Sequence, residues 1–221
     1  VVTSTGPTLV RDVTAPTTPG SAPASYADNA GTLTSAASTA STTDDTTPGV
    51  YVGTGLTDSP SLYVDGVKVA ATYDSITGTL TPTTALGDGS QALTYTLTDA
   101  AGNESAPSPA LTVTVDTAAP SAATDITLTP SGGTVVANTL NSTNTALDFA
   151  ASITAGQATG GKAEFYVGAT LIGTDSTIAV GDTSVGYTTS DGTPDTAELQ
   201  AAIAAGGVVT VKLYDAAGNV V

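Results

Sequence analysis

A short segment occurs twice in this chain, and the distance between its copies sets the size of the folding unit. DVTAP at Asp12–Pro16 is similar to DTAAP at Asp116–Pro120, 104 residues later, and each copy follows a short apolar stretch. A repeat of this length corresponds to one small domain. The sequence therefore predicts two domains in tandem, over residues 13–115 and 116–221, after an N-terminal strand and linker at residues 1–12.

The residue types favour strands over helices. Thr, Val, Gly, Ala and Ser dominate, and Gly and Pro recur along the chain, which is typical of many short strands joined by tight turns. Segments such as SLYVDGVKVA, QALTYTLTD and KAEFYVGATLIGT have the composition of strands. Asp65 with Gly66, and Gly168, predict the turns of two hairpins. We predict an all-β fold in which each domain is a β-sandwich of the immunoglobulin kind.

The segment TPDTAELQAAIAAGG in the second domain departs from this pattern. Thr193 can cap a helix, and Pro194 suits its first turn. Leu199 and Ile203 lie one helical turn apart, and the glycines beginning at Gly206 would end the helix. We predict one short helix here, crossing between the sheets.

Charge and missing residue types exclude several functions. Four basic residues against twenty acidic ones give a formal net charge of −16, which would repel nucleic acid and an anionic membrane surface. No apolar run approaches the roughly 20 residues that span a bilayer. Because Cys and His are absent, the remaining metal ligands are carboxylate and carbonyl oxygens, which suit calcium. This composition fits the outside of a cell.

Catalysis needs a nucleophile with a base, or carboxylates held in a cleft. The lysines that could activate a serine lie in strand-like segments beside no serine, at Lys68, Lys162 and Lys212. We therefore predict that the chain is not an enzyme. A carbohydrate-binding module stays an alternative. The tyrosines available for it are Tyr51, Tyr63, Tyr166 and Tyr187, for each of which core or cross-strand packing is the favoured role.

Several segments of the first domain resemble the bacterial immunoglobulin-like repeats of giant surface adhesins, of the biofilm-associated and RTX type. They are STTDDTTPGVYVGTG, SLYVDGVKVA and GTLTPTTALGDGSQALTYTLTDAAGNESAPSPALTVTVDTAAP. The resemblance covers most of residues 42–120, whereas only KAEFYVGATLIGT and VTVKLYDAAGN carry it in the second domain. It implies a rod-forming extracellular module with calcium at its domain junctions and without catalysis.

The pentapeptide DAAGN occurs in both domains, at Asp99–Asn103 and Asp215–Asn219. In a sandwich of this topology the loop between the last two strands lies beside the incoming linker, so each copy is expected near the linker aspartate. Such an oxygen-only shell is compatible with calcium. The candidate ligands are Asp12, Asp99, Asn103, Asp116, Asp215 and Asn219. The alternative is that Asp starts a turn, Gly or Asn adopts the left-handed conformation, and nothing binds.

Other acidic residues are weaker candidates. Asp44 and Asp45 form a further possible ligand pair, for which a solvated turn is favoured. Asp88 and Asp191 each adjoin a glycine and are expected to be turn residues.

The two ends of the sequence complement each other. In the first domain DAAGN is followed by ESAPSPALTVTVD, which carries the last strand, whereas Asn219 is followed by two valines. VVTSTGPTLVR at Val1–Arg11 resembles such a last strand without a domain before it. We expect this strand to complete the second domain of a neighbouring copy, in head-to-tail strand exchange that yields a filament.

Other interpretations of the ends stay open. With no Met, the chain is expected to be either a processed product or an excised segment of a longer adhesin. An S-layer subunit shares this acidic, Cys-free composition. Val1–Arg11 would alternatively pair within its own first domain or be disordered. In each case we expect a non-enzymatic, extracellular structural or adhesive protein, with an unknown surface or glycan target.

Overall fold

The computed structural model describes residue 6 and residues 9–136, 139, 141, 143–144, 146–189 and 206–221. These residues form sixteen strands, which are β1 (Tyr26–Asp28), β2 (Ser35–Ser38), β3 (Thr42–Thr43), β4 (Gly49–Tyr51), β5 (Ser59–Val64), β6 (Val67–Val69), β7 (Ala71–Asp74), β8 (Thr79–Pro82), β9 (Gly89–Thr98), β10 (Leu111–Val115), β11 (Thr124–Ser131), β12 (Ala146–Ser152), β13 (Lys162–Val167), β14 (Thr170–Asp175), β15 (Ser184–Thr188) and β16 (Val209–Tyr214).

The chain divides into two compact units. Unit 1 comprises Val1–Ala30, Thr34–Ser41 and Asp45–Val115, and unit 2 comprises Gly31–Leu33, Thr42–Asp44 and Asp116–Val221. Two five-stranded sheets have the strand orders β2-β1-β4-β8-β7 and β3-β10-β9-β5-β6. Unit 2 contains two three-stranded sheets, with the orders β11-β12-β15 and β14-β13-β16.

Strand alternation puts the core of unit 1 between its sheets. In β10, Val113 and Val115 are buried while Thr112 faces outward, as expected for a strand with one solvated face. The buried cluster comprises Tyr26, Val50, Val52, Leu62, Val64, Leu80, Leu93 and Val113. Burying each such Val or Leu side chain contributes about 1.5–3 kcal/mol. Branched aliphatic residues rather than large aromatics therefore supply most of this core.

The core of unit 2 is organised around its two phenylalanines. Phe149 on β12 and Phe165 on β13 are buried, with ring centroids 6.0 Å apart and planes tilted by 53°. This geometry is within the range that aromatic pairs prefer. Leu147, Val185 and Leu213 join the same cluster.

The hairpin turns follow the sequence. Asp65 and Gly66 have φ values of 51° and 79°, as a two-residue type I′ turn between β5 and β6 requires. Gly168, with φ of 59°, joins β13 to β14. Both hairpin predictions are confirmed.

The predicted fold class needs one correction. The residues that the structure describes are all-β and contain no helix. The fold-class prediction is therefore wrong where it includes a short helix in the second domain. The segment on which it was predicted falls largely at residues 190–205, outside the described residues. Gly206 lies in a turn and Gly207 has no regular structure.

Most strands were predictable from local pattern, but some were missed. The predicted segments SLYVDGVKVA, QALTYTLTD and KAEFYVGATLIGT overlap β5 with β6, β9, and β13 with β14, respectively. Of the strands that were missed, β1, β2 and β3 have two to four residues each, and β15 is the segment SVGYT. Such short segments carry too few alternations for a periodic signal.

Candidate functional site

The first DAAGN loop is closed by its own aspartate. Asp99 Oδ1 accepts the backbone N–H groups of Ala101 and Asn103, each at 2.9 Å. Asn103 Nδ2 donates to Asp99 Oδ2 at 2.8 Å, and Asp99 N donates to Asn103 O at 3.1 Å. These hydrogen bonds, that from the Asn103 side chain foremost, lower the pKa of Asp99 below its ordinary value.

The second DAAGN loop repeats this arrangement. Asp215 Oδ1 accepts the backbone N–H groups of Ala217, Gly218 and Asn219 at 2.9–3.0 Å. Asn219 Nδ2 donates to Asp215 Oδ2 at 2.9 Å, and Asp215 N donates to Asn219 O at 3.1 Å. The pentapeptide therefore specifies one local structure, in which the carboxylate satisfies backbone donors of the turn.

Each loop also holds the linker that enters its domain. Asn219 Nδ2 donates to the backbone O of Asp116 at 2.8 Å, and Asn103 Nδ2 stands 3.5 Å from the backbone O of Asp12. The structure thus brings each DAAGN loop to the linker aspartate at which the sequence placed it. We call each set of Asp, Asn and linker carbonyl a linker clasp.

The linker carboxylates themselves face their own backbone. Asp12 Oδ1 accepts the N–H of Thr14 at 3.0 Å, and Asp116 Oδ1 accepts that of Ala118 at 3.1 Å. Both are turns closed by a side chain, so the two linkers repeat at the level of single hydrogen bonds.

The carboxylate oxygens of each clasp are already engaged in hydrogen bonds. Calcium takes six to eight oxygen ligands. In each loop Oδ1 of the aspartate accepts backbone N–H groups and Oδ2 accepts the Asn side-chain N–H, so a calcium ion would compete with these donors. Among the described residues no group of three or more His, Cys, Asp or Glu is placed to hold a metal ion. Calcium at these six residues stays a prediction.

The two clasps differ in what covers them. Asp215 is 6% exposed, whereas Asp99 is half-buried. Within unit 2, Thr32 Oγ1 donates to the backbone O of Gly218 at 2.7 Å. A Cβ added to Gly218 would lie 3.1 Å from Leu33 Cγ, while one added to Gly102 would meet nothing within 4 Å. Thr32 and Leu33 therefore seal the second loop.

Sequence reasoning missed the burial of two carboxylates. Asp28 and Asp45 are each 4% exposed, although Asp45 was expected in a solvated turn. Asp45 Oδ2 accepts the N–H of Asn29 at 2.9 Å, and its Oδ1 accepts that of Thr47 at 2.7 Å. The signal was the Asp-x-Thr spacing, which favours a side-chain-closed turn, but sequence does not show what packs over such a turn.

In unit 1 a lysine and a tyrosine share one glutamate. Glu104 Oε1 accepts from Tyr63 OH at 2.9 Å, from Lys68 Nζ at 3.2 Å and from Thr96 Oγ1. The hydrogen bond from Thr96 is the main cause that lowers the pKa of Glu104. Lys68 Nζ also lies 5.7 Å from the Tyr63 ring centroid.

Unit 2 contains a similar cluster. Glu164 accepts from Tyr166 OH at 2.8 Å, from Tyr214 OH at 3.0 Å and from Lys162 Nζ. The bond to Glu164 raises the pKa of Tyr166 to about 12. Lys212 Nζ lies 5.2 Å from the Tyr166 ring centroid. Tyr63 and Tyr166, with the lysines beside them, are therefore engaged in hydrogen bonds and ring contacts within their own units.

Comparison with known proteins places the first domain. Residues 21–117 match the bacterial Ig-like domain family. A search of curated proteins finds no match. No helix in the described part of the chain has the length and apolar character to cross a membrane. The family match agrees with the two-sheet architecture of unit 1 and with the predicted bacterial Ig-like character.

Proposed function

We propose that this chain, with bacterial Ig-like character established over residues 21–117, is a non-enzymatic extracellular structural or adhesive protein that associates head to tail. Domains of this family are typical of bacterial surface proteins and generally lack catalysis. The hydrogen-bonded lysines and glutamates described above offer no nucleophile paired with a base. The chain would act through length, stiffness and self-association.

The observation that carries this proposal is the outer edge of β16, the edge facing away from β13. In unit 1 the corresponding strand β9 pairs with β5 on one side and β10 on the other. Among the described residues β16 has β13 as its one partner strand. Beyond it, Leu213 and Val221 exchange backbone hydrogen bonds at 3.1–3.2 Å.

Alternation identifies the groups that a further strand would meet. Leu213 directs its N–H and C=O outward to Val221, and successive residues of a strand alternate in this respect. Val209 and Val211 therefore present their backbone groups to the outer edge as well. Both side chains are partly buried against the core of unit 2. An added strand would continue the pairing that Val221 begins.

The N-terminal segment supplies a strand of fitting character. Leu9 and Val10 are 96% and 80% exposed, and neither belongs to a strand. Placed on the outer edge of β16 of another copy, they would gain backbone pairing and bury apolar surface. Because donor and acceptor lie on different surfaces, the contact is heterologous and extends into a filament.

Electron microscopy and sedimentation test this proposal. The wild-type chain is expected to form fibres that disappear when Val1–Arg11 is deleted or when Leu9 and Val10 are both replaced by Asp. The control is Val13→Asp, which alters an equally apolar position, 66% exposed, outside the donated segment. A wild-type chain that stays monomeric at high concentration, or fibres that survive the deletion, would refute strand donation. Flat lattices would indicate an S-layer subunit instead.

A chelator experiment distinguishes two hypotheses, that calcium stiffens the linkers and that the linker clasp holds them without a metal ion. If calcium stiffens the linkers, removing it lowers the melting temperature. If the Asn amide alone bridges Asp215 and the Asp116 carbonyl, chelation leaves the melting temperature unchanged. We favour the second result, because the clasp satisfies its own donors and acceptors. A fall on chelation that is absent in Asp215→Asn would instead assign calcium to this loop.

A further inference from the structure

Two loop segments with related sequences follow strands β1 and β11. Gly31–Leu33 reads GTL, and Gly133–Val135 reads GTV. Gly31 has φ of 58° and Gly133 has φ of 56°. A Cβ on Gly31 would collide with the carboxylate of Asp44, and one on Gly133 with the backbone and side chain of Thr143. Both turns therefore require glycine, because of the positive φ and because Asp44 and Thr143 occupy the space beside them.

The first of these segments already shows what such a loop binds. Thr32 Oγ1 donates to the Gly218 carbonyl at 2.7 Å, and the Leu33 side chain covers Gly218. This contact lies within unit 2, to which Gly31–Leu33 belongs. A Gly-Thr-apolar turn is thus complementary to a DAAGN loop, through one hydrogen bond and one apolar contact.

The other Gly-Thr-apolar turn and the other DAAGN loop of the chain are both exposed. Val135 and Val136 are 54% and 48% exposed, beside Thr134. At the other end, Ala101 is exposed and Gly102 has open space where a Cβ would be. One chain therefore presents an uncovered Gly-Thr-Val turn and an uncovered DAAGN loop.

We propose that Gly133–Val135 of one copy docks on the Asp99–Asn103 loop of a second copy. In this contact Thr134 Oγ1 donates to the Gly102 carbonyl and Val135 covers Gly102, as Thr32 and Leu33 do at Gly218. The inference rests on the proposed head-to-tail association and names a second surface for it. With a net charge of −16 the copies repel each other, so the contact works through a hydrogen bond and apolar burial.

The size of the contact sets its role. Two short loops bury far less than the roughly 1,000 Å² that a stable interface needs, so docking alone is weak. When strand donation holds the same two copies together, docking becomes intramolecular and gains a high effective concentration. The loop contact would then fix the orientation of successive copies in the filament.

Disulfide trapping tests the docking directly, because the chain has no native Cys. Val135→Cys and Ala101→Cys chains are mixed, and cross-linked dimer is measured against a mixture of Val180→Cys with Ala101→Cys. Val180 is a matched control, since it is an exposed valine of unit 2 outside the loop. We expect trapping at least about tenfold faster with Val135→Cys. Equal rates in the two mixtures would overturn the docking.

A second arm separates this inference from strand donation. Deleting Val1–Arg11 is expected to slow trapping and to abolish fibres. If the deletion abolishes fibres but Val135→Cys traps no faster than the control, strand donation stands and loop docking is wrong. If Val135→Cys traps faster and the deletion leaves fibres intact, loop docking stands and strand donation is wrong.

Discussion

Units 1 and 2 differ in how they cover two corresponding features, the strand before DAAGN and the DAAGN loop itself. Each unit covers the feature that the other leaves uncovered. In unit 1 the strand before DAAGN is covered on both edges, while the DAAGN loop is uncovered at Gly102. In unit 2 the strand before DAAGN keeps much of its outer edge uncovered, while its loop is sealed by Thr32 and Leu33. We propose that a second copy of the chain covers what each unit leaves uncovered.

The comparison separates local from tertiary causes. In both loops the aspartate carboxylate accepts backbone N–H groups of the turn, including that of the asparagine, so the pentapeptide itself specifies this arrangement. Burial is different: Asp215 is 6% exposed and Asp99 is half-buried. The cost of disrupting each loop is therefore set by neighbours that lie far away in sequence.

The largest expected effect comes from removing the buried aspartate. Asp215→Ala leaves the N–H groups of Ala217, Gly218 and Asn219 without their acceptor, and we expect a loss of about 3 kcal/mol in the free energy of unfolding. The matched variant is Asp99→Ala, for which a smaller loss is expected because water reaches that loop. Urea unfolding of both variants measures the difference. Equal losses would show that covering the loop has no energetic consequence.

Replacing the clasp asparagines should lower the free energy of unfolding by smaller amounts, again with the larger loss in unit 2. Asn219 Nδ2 reaches the Asp116 carbonyl at 2.8 Å, whereas Asn103 Nδ2 lies 3.5 Å from that of Asp12. We expect Asn219→Ala to cost about 1 kcal/mol and Asn103→Ala clearly less, because a hydrogen bond weakens at long distance. Thermal unfolding measures both. A larger cost for Asn103→Ala would contradict the assigned geometry.

The sequence predicted which residues form each linker clasp, but it did not predict that Thr32 and Leu33 cover the second DAAGN loop. The DAAGN repeat and the two linker aspartates predicted which residues meet, because loop position follows from sandwich topology. Thr32 and Leu33 were not predicted, since a loop of three residues has no periodic signal and its partner lies 186 residues away. The short helix was predicted from caps and spacing alone, and its segment falls largely outside the described residues. The burial of Asp28 and Asp45 was missed because sequence does not show what packs over a turn.

Replacing Leu33, which covers the second DAAGN loop, gives a third prediction with a smaller expected loss of stability. Leu33 is 52% exposed, so Leu33→Ala removes a partial contact and is expected to cost about 0.5–1 kcal/mol. Native-state hydrogen exchange should show faster exchange of the Gly218 amide, with little change at Gly102. Val13→Ala serves as the control for loss of an exposed apolar side chain. Unchanged exchange at Gly218 would mean that Leu33 does not seal the loop.

The smallest expected effect is on acid stability. The pKa of Asp99 is lowered from 3.8, chiefly by its hydrogen bond from the Asn103 side chain. Its stabilising contribution is therefore complete above the ordinary aspartate pKa and is lost as pH falls through the lower folded value. Asp99→Asn should flatten the decline of unit 1 stability below about pH 4. An unchanged acid profile would show that the Asp99 charge contributes nothing.

Amide hydrogen exchange on β16 tests head-to-tail strand donation most directly. Val209 and Val211 direct their N–H groups to the outer edge, while Thr210 and Lys212 direct theirs to β13 and serve as internal controls. We predict that the first pair exchanges fast in dilute samples, becomes about a hundredfold slower at high concentration, and stays fast when Val1–Arg11 is deleted. Exchange of Val209 and Val211 that is independent of concentration, or unaffected by the deletion, would contradict the proposal.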